Sequence, residues 1–189
     1  MKVSRDRVLE NKRTILMAAG RLFRERGFES VTVTDVMKAA GLTHGGFYGY
    51  FKSKEDLIAQ AVVDALSAIQ PTHADLSTMI EQYLSVRHRD DRAGGCPIAA
   101  LASDIVRQPG HARAEMTEGL ERLIEMLSRS AAATDDAQKR RIAIGNWAAM
   151  VGALILARMS ENSDLSNEIL NETRAWLNST APTGTGQRG

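Results

Sequence analysis

A chain of 189 residues, 43% hydrophobic and 25% charged, has the make-up of a folded globular protein, with room for one large domain or two small ones. A net charge of +1 excludes a global field that would gather a polyanion, and a single cysteine, Cys96, excludes an internal disulfide and suits a reducing compartment. The charge is unevenly placed. Residues 1–60 hold 11 basic and 7 acidic side chains, a net of +4, and the remainder hold 13 and 16, a net of −3. A basic head on an acidic body suits local contact with a polyanion.

Ala, Leu, Met, Arg and Glu recur, proline is sparse and no long β-branched alternation appears, so the chain reads as all-α. No apolar run follows the basic N-terminal residues, so a secretory signal is not expected. A first helix is expected over 8–26, with Ile15, Ala18, Ala19, Leu22 and Phe23 on one apolar face and Gly27 where a C-terminal cap belongs. Thr32 and Asp35 have the spacing of a capping box for a short second helix over 33–40. Gly41 permits a tight turn, Leu42 anchors it, and Thr43 is placed to cap a third helix over 44–50. Ser53 caps a fourth, with Glu55 and Asp56 in its first turn. Longer helices follow over 75–87, 98–106, 112–132, 135–159 and 165–177. The apolar stretch over 142–157 is broken by Asn146 and falls short of the roughly 20 residues of a membrane span, so it reads as a buried helix. Residues 178–189, rich in Ser, Thr, Gly and Pro, read as a disordered tail.

Two short helices joined by a glycine turn, framed by longer ones, make a helix-turn-helix. Its second short helix offers a polar, low-profile face in Thr43, His44, Gly45, Gly46 and Tyr48, while Phe47 and Phe51 supply the buried side. Two consecutive glycines weaken a helix by roughly 1 kcal/mol each relative to alanine, which a helix backing closely onto DNA bases has reason to tolerate.

The run TVTDVMKAAGLTHGGFYGYFKSKEDLIAQAV, Thr32 to Val62, together with the preceding ILMAAGRLFRERGFESVTV, resembles the signature segment of TetR/AcrR transcriptional regulators. That resemblance covers residues 12–62. It implies that Thr32 and Thr34 contact the sugar-phosphate backbone or a base edge, and that Thr43, His44, Gly45 and Gly46 face base edges. It further implies that Tyr48 and Tyr50 donate to phosphates and that Lys52 and Lys54 pair with them, beside the free amides of the fourth helix. Gly49 and Tyr50 stand where many members have an alanine or aromatic followed by histidine, and Gly46 removes a side chain that often reads a base. Both departures leave the operator sequence open.

The expected organisation is a helix-turn-helix DNA-binding domain over 1–52, a helical effector-binding and dimerisation domain over 53–177, and the tail. Ile142, Gly145, Ala149, Gly152 and Leu156 lie near one face of the apolar helix and are expected at a homodimer interface. The resemblance adds the last helix, with Trp176, to a four-helix bundle between subunits. It also implies a small-molecule effector cavity, with Met79, Tyr83, Ile98, Leu101, Ile105, Met116, Leu120, Leu123, Ile124, Trp147 and Met150 as candidate lining. Cys96 precedes a helix start, with Arg89 and Arg92 near in sequence, and is a candidate redox sensor. No phosphate loop, nucleophile elbow, HExxH or CxxC pattern occurs, so neither an enzyme nor a metal or cofactor site is expected. The expected function is that of a cytoplasmic repressor, off the membrane, released from palindromic double-stranded operator DNA by its effector.

Overall fold

The computed structural model describes residues 5–69, 76–131 and 133–180. Among these the chain is helical throughout: α1 Arg5–Arg26, α2 Val33–Ala39, a 3-10 helix His44–Gly49, α3 Lys54–Ser67, α4 Leu76–Tyr83, α5 Val86–Asp90, α6 Pro97–Ile105, α7 Gly110–Arg129, α8 Asp136–Met159 and α9 Ser163–Thr180.

The described residues group into two compact units, one within Met1–Gln70 and Asp91–Leu123 and one within Pro71–Asp90 and Ile124–Gly189. This division by compactness is discontinuous in sequence and does not follow the boundary expected after residue 52. In the first unit α1 packs on α2, α3 and α6, and α3 packs on α6 as well. Ile15, Ala19 and Phe23 of α1 are buried with Val36 and Met37 of α2 and with Leu57, Ile58, Ala61 and Val62 of α3. Phe28 meets Phe23 edge-on, ring centroids 5.2 Å apart. Gly27, at φ 78°, closes α1 in the left-handed conformation, and Gly41, at φ 71°, turns the chain after α2. Arg24 Nε donates to the Ala93 carbonyl at 2.7 Å, tying the end of α1 to the loop before α6.

The capping box of α2 forms as the spacing predicts. The Thr32 hydroxyl accepts from the Asp35 backbone N–H, and the Asp35 carboxylate accepts from the Thr32 backbone N–H at 2.9 Å. The hydroxyl and backbone N–H of Thr32, both donating to it, hold the Asp35 carboxyl below its usual range. Its contribution to stability is therefore present above the ordinary carboxylate pKa and is lost on acidification. Thr32→Ala is expected to cost about 0.5–2 kcal/mol, the range for lost N-caps, read as a lower urea midpoint with an unchanged slope. An unshifted midpoint would show that the cap carries nothing.

In the second unit α8 packs along α9, α4 lies on α9 and α5 on α8. The core holds Ile80, Leu84, Met150, Ala153, Ala157, Leu170 and Leu177. Arg158 donates from Nε to the Arg89 carbonyl and from Nη2 to the His88 carbonyl, both at 3.0 Å, closing the C-terminal end of α5. Arg89 Nη1 reaches the Ser166 hydroxyl and the Asn167 side-chain oxygen on α9, both at 2.9 Å.

Three expectations are corrected. The helix expected over 75–87 stops at Tyr83 and restarts at Val86, because the Ser85 hydroxyl accepts from the His88 N–H and caps the new turn. The last helix runs on through Thr180, so residues 178–180 are not part of a disordered tail. Residues 181–189 lie outside the described residues. Finally, α8 is 24 residues long and, by length and composition alone, apolar enough to cross a membrane. Trp147, Met150 and Leu154 are buried on one side of it, while Ile144, Leu156 and Met159 are exposed on another.

Candidate nucleic-acid interface

The segment between Thr32 and Lys54 builds one polar surface on a buried aromatic base. Phe47 and Phe51 are 1% and 2% exposed and stack with centroids 5.6 Å apart. The Lys12 ammonium of α1 sits 5.5 Å from the centre of the Phe51 ring, within cation–π range. With those two rings turned inward, Thr43, His44, Gly45 and Tyr48 are exposed, Tyr48 by 74%.

The expected third α-helix is a 3-10 helix that ends at Gly49. Three glycines of low helix propensity and a length of six residues favour the tighter i→i+3 bond, here Gly46 N–H to the Thr43 carbonyl at 3.1 Å. The three-residue turn brings Gly45 and Tyr48 to the same outward side. Thr43 precedes this helix but makes no side-chain capping bond. The chain's own packing does not require glycine at 45 or 46. A Cβ at Gly45 would meet nothing within 4 Å, and one at Gly46 would make ordinary contacts with Met37, Thr43 and Tyr50.

Other predicted contacts are modified by internal bonds. The Thr32 hydroxyl is committed to Asp35. Thr34 Oγ1 lies 3.1 Å from His44 Nδ1, joining the two short helices side chain to side chain. The Tyr50 hydroxyl accepts from Asn11 Nδ2 at 2.9 Å, which leaves its own hydrogen to donate. Asn11 and Lys12, on the inner turn of α1, escaped the sequence reading because their partners lie about forty residues away. Lys52 is exposed and Lys54 half-buried. The amides at the start of α3 are not all free as expected. Lys52 N–H donates to the Asp56 carboxylate at 2.8 Å and Asp56 N–H to Ser53 Oγ at 3.2 Å. Burial alone would raise the Asp56 pKa. The Lys52 amide, the Gln60 side chain and the Lys52 and Lys12 charges outweigh it and hold the carboxyl low. Negative ligands at this helix end thus meet lysine side chains more than bare amides.

Two family models match this chain, and between them they cover the interface and the body. Residues 15–61 match the model described as bacterial regulatory proteins, tetR family, and residues 73–172 match the tetracyclin repressor-like C-terminal domain. The chain belongs to the TetR family of bacterial regulatory proteins. Among curated relatives, the Bacillus subtilis HTH-type regulator YdgC is 37% identical over 62 residues, 33% of this chain and 32% of that protein. The Pseudomonas putida HTH-type regulator TtgR is 33% identical over 78 residues, 41% of this chain and 35% of that one. The chain thus spans about a third of the length of these relatives, while the Brucella suis HTH-type repressor BepR matches at 27% over 84% of this chain and 81% of its own. Among solved structures, reduced Escherichia coli NemR has a TM-score of 0.72 at 19% identity, covering 92% of this chain and 99% of that one. A Cytophaga hutchinsonii TetR-family regulator has a TM-score of 0.69 at 20%, covering 97% and 100%. The family is one of helix-turn-helix regulators rather than enzymes.

The remaining candidates in this TetR-family chain are distributed as follows. Ile98, Leu101, Ile105, Met116, Leu120 and Leu123 belong to the first unit, and Met79, Tyr83, Ile124, Trp147 and Met150 to the second. Within the second unit Met79 and Trp147 line a recess of about 230 Å³ together with Leu76, Leu127, Ala131, Ile142, Ala143 and Asn146. Much of that space opens to solvent, and the enclosed part holds only about 10 Å³, room for little more than a water molecule and far below the roughly 300–1,000 Å³ of drug-sized ligand sites. Ile142, expected at a dimer interface, lines this recess, and Ala149 packs against the core. Gly145, Gly152, Leu156 and Trp176 remain at the surface or half-covered, and Ile144, Met159 and Leu165 join them as exposed apolar side chains. Cys96 is 4% exposed at the N-cap of α6, without the accessibility that sensor thiols have. Among the described residues no group of His, Cys, Asp and Glu could hold a metal ion.

Proposed function

We propose that this chain is a cytoplasmic repressor that holds palindromic double-stranded operator DNA as a homodimer and releases it when a small molecule binds the helical body. The observation that carries the reading is the capped α2, the Gly41 turn and the 3-10 helix, with Phe47 and Phe51 locked inward so that Thr43, His44, Gly45 and Tyr48 face out. A surface of this kind lays its second short helix in the major groove, with hydroxyls and ammonium groups on the flanking phosphates. Residues 1–52 then serve as the reading head and 53–177 as the effector and dimerisation body. An effector of ordinary size needs the recess at Met79 and Trp147 to widen, and that change in the body is what moves the heads out of register.

The test is binding of the full chain to duplex DNA from upstream of its own gene, followed by anisotropy across a salt series. Affinity is expected to fall steeply with salt. Lys52→Ala should weaken binding on all sequences and lower the salt slope by about one phosphate contact. A chain that retains no duplex DNA at low salt, or binds it without salt dependence, would end this reading.

A further inference from the structure

The bond between Thr34 and His44 joins the second residue of α2 to the first of the 3-10 helix, across ten residues and the Gly41 turn. Both side chains are exposed, so the pair lies on the polar face and not in the core. Which nitrogen of a histidine carries the proton is set by the bond that the other makes. The threonine oxygen and Nδ1 stand 3.1 Å apart, and a hydroxyl can turn its hydrogen toward an Nδ1 lone pair. Thr32, two residues earlier, is different, since its hydroxyl is committed within the capping box. Gly45, which follows His44, has no side chain and nothing within 4 Å of where one would stand, so the imidazole can come close to a ligand surface.

We propose that Thr34 donates to His44 Nδ1 and thereby holds the imidazole hydrogen on Nε2, making His44 a single outward donor that reads guanine in the major groove. Thr34 is the positioning residue and His44 the reading residue. The inference rests on the DNA-binding reading above and goes further, to the chemistry of one base. Guanine is the matching edge because it sets two acceptors, O6 and N7, side by side. Adenine places an amino donor next to N7, thymine sets its one acceptor, O4, beside a methyl group, and cytosine offers only a donor.

Operators are to be selected from random duplexes with the wild-type chain and with the His44→Ala, Thr34→Val and Thr34→Ser variants, thermal melts confirming that each variant is folded. The wild type should fix one guanine in each half-site. H44A should lose that preference while keeping the others, T34V should relax it and T34S should restore it. Replacing that guanine with 7-deazaguanine should weaken the wild type about fivefold to tenfold and leave H44A unchanged. If H44A selects the same guanine, or if the base that depends on His44 is adenine, thymine or cytosine, the proposal is wrong. If the wild type selects no duplex at all, the DNA-binding reading falls first and takes this one with it.

Discussion

Phe47→Ala should cost the reading head about 3–5 kcal/mol, the range for removing a fully buried phenylalanine. Phe47 is 1% exposed, stacks on Phe51 and meets the Tyr48 ring edge-on at 5.2 Å. Native domains hold only about 5–15 kcal/mol in total, so a loss of that size takes much of what keeps the 3-10 helix in place. Operator affinity should collapse with it, while the proposed dimer, which α8 and α9 would form, should persist. The neighbouring substitution separates folding from recognition. Tyr48→Ala removes a side chain that is 74% exposed, so it should leave the melting curve in place and lower DNA affinity alone. A chemical melt followed by operator titration of both variants checks the pair. Wild-type melting and binding by Phe47→Ala would mean that the aromatic base does not support the recognition surface.

Phe47 and its stacking partner Phe51 also show what is legible in the sequence. Phe47 and Phe51 were readable as the inward side because they are four apart, and Thr32, Asp35, Gly27 and Gly41 because caps and left-handed turns demand particular residue types at fixed offsets. The helix type over 44–49 was not legible. Six residues with three glycines carry too little propensity to distinguish a 3-10 helix from an α-helix. Ser85 marks a new helix start, but the continuous apolar pattern over 75–87 masks that signal. The contacts that shape the recognition face, Thr34 with His44 and Asn11 with Tyr50, join residues on different elements, and no local rule announces them. The outer face of α8 is hard to fix from sequence for a related reason. A helix that is apolar on several sides has little contrast around its circumference, so its outer line could not be told from its inner one.

That outer line carries the other large effect. Leu156→Arg should convert the homodimer to a monomer and weaken operator binding by about a hundredfold or more, the scale on which two tethered heads exceed one. Leu156 is 55% exposed in the single chain, with Ile144 at 44% and Met159 at 72% on the same helix and Leu165 at 48% and Trp176 at 55% on α9. A Cβ at Gly145 or Gly152 would meet nothing within 4 Å, so a second helix could approach closely there. Large apolar side chains left in the open on two adjacent helices suit burial in an obligate interface. An arginine at 156 points into solvent in the monomer and leaves its fold intact, but in the dimer it would bring an unpaired charge into an apolar contact. The expected result is a halved mass by sedimentation, an unchanged helical signal and a residual affinity for isolated half-sites equal to that of a single head. A variant that remains dimeric and keeps wild-type affinity would place the subunit contact elsewhere on the chain.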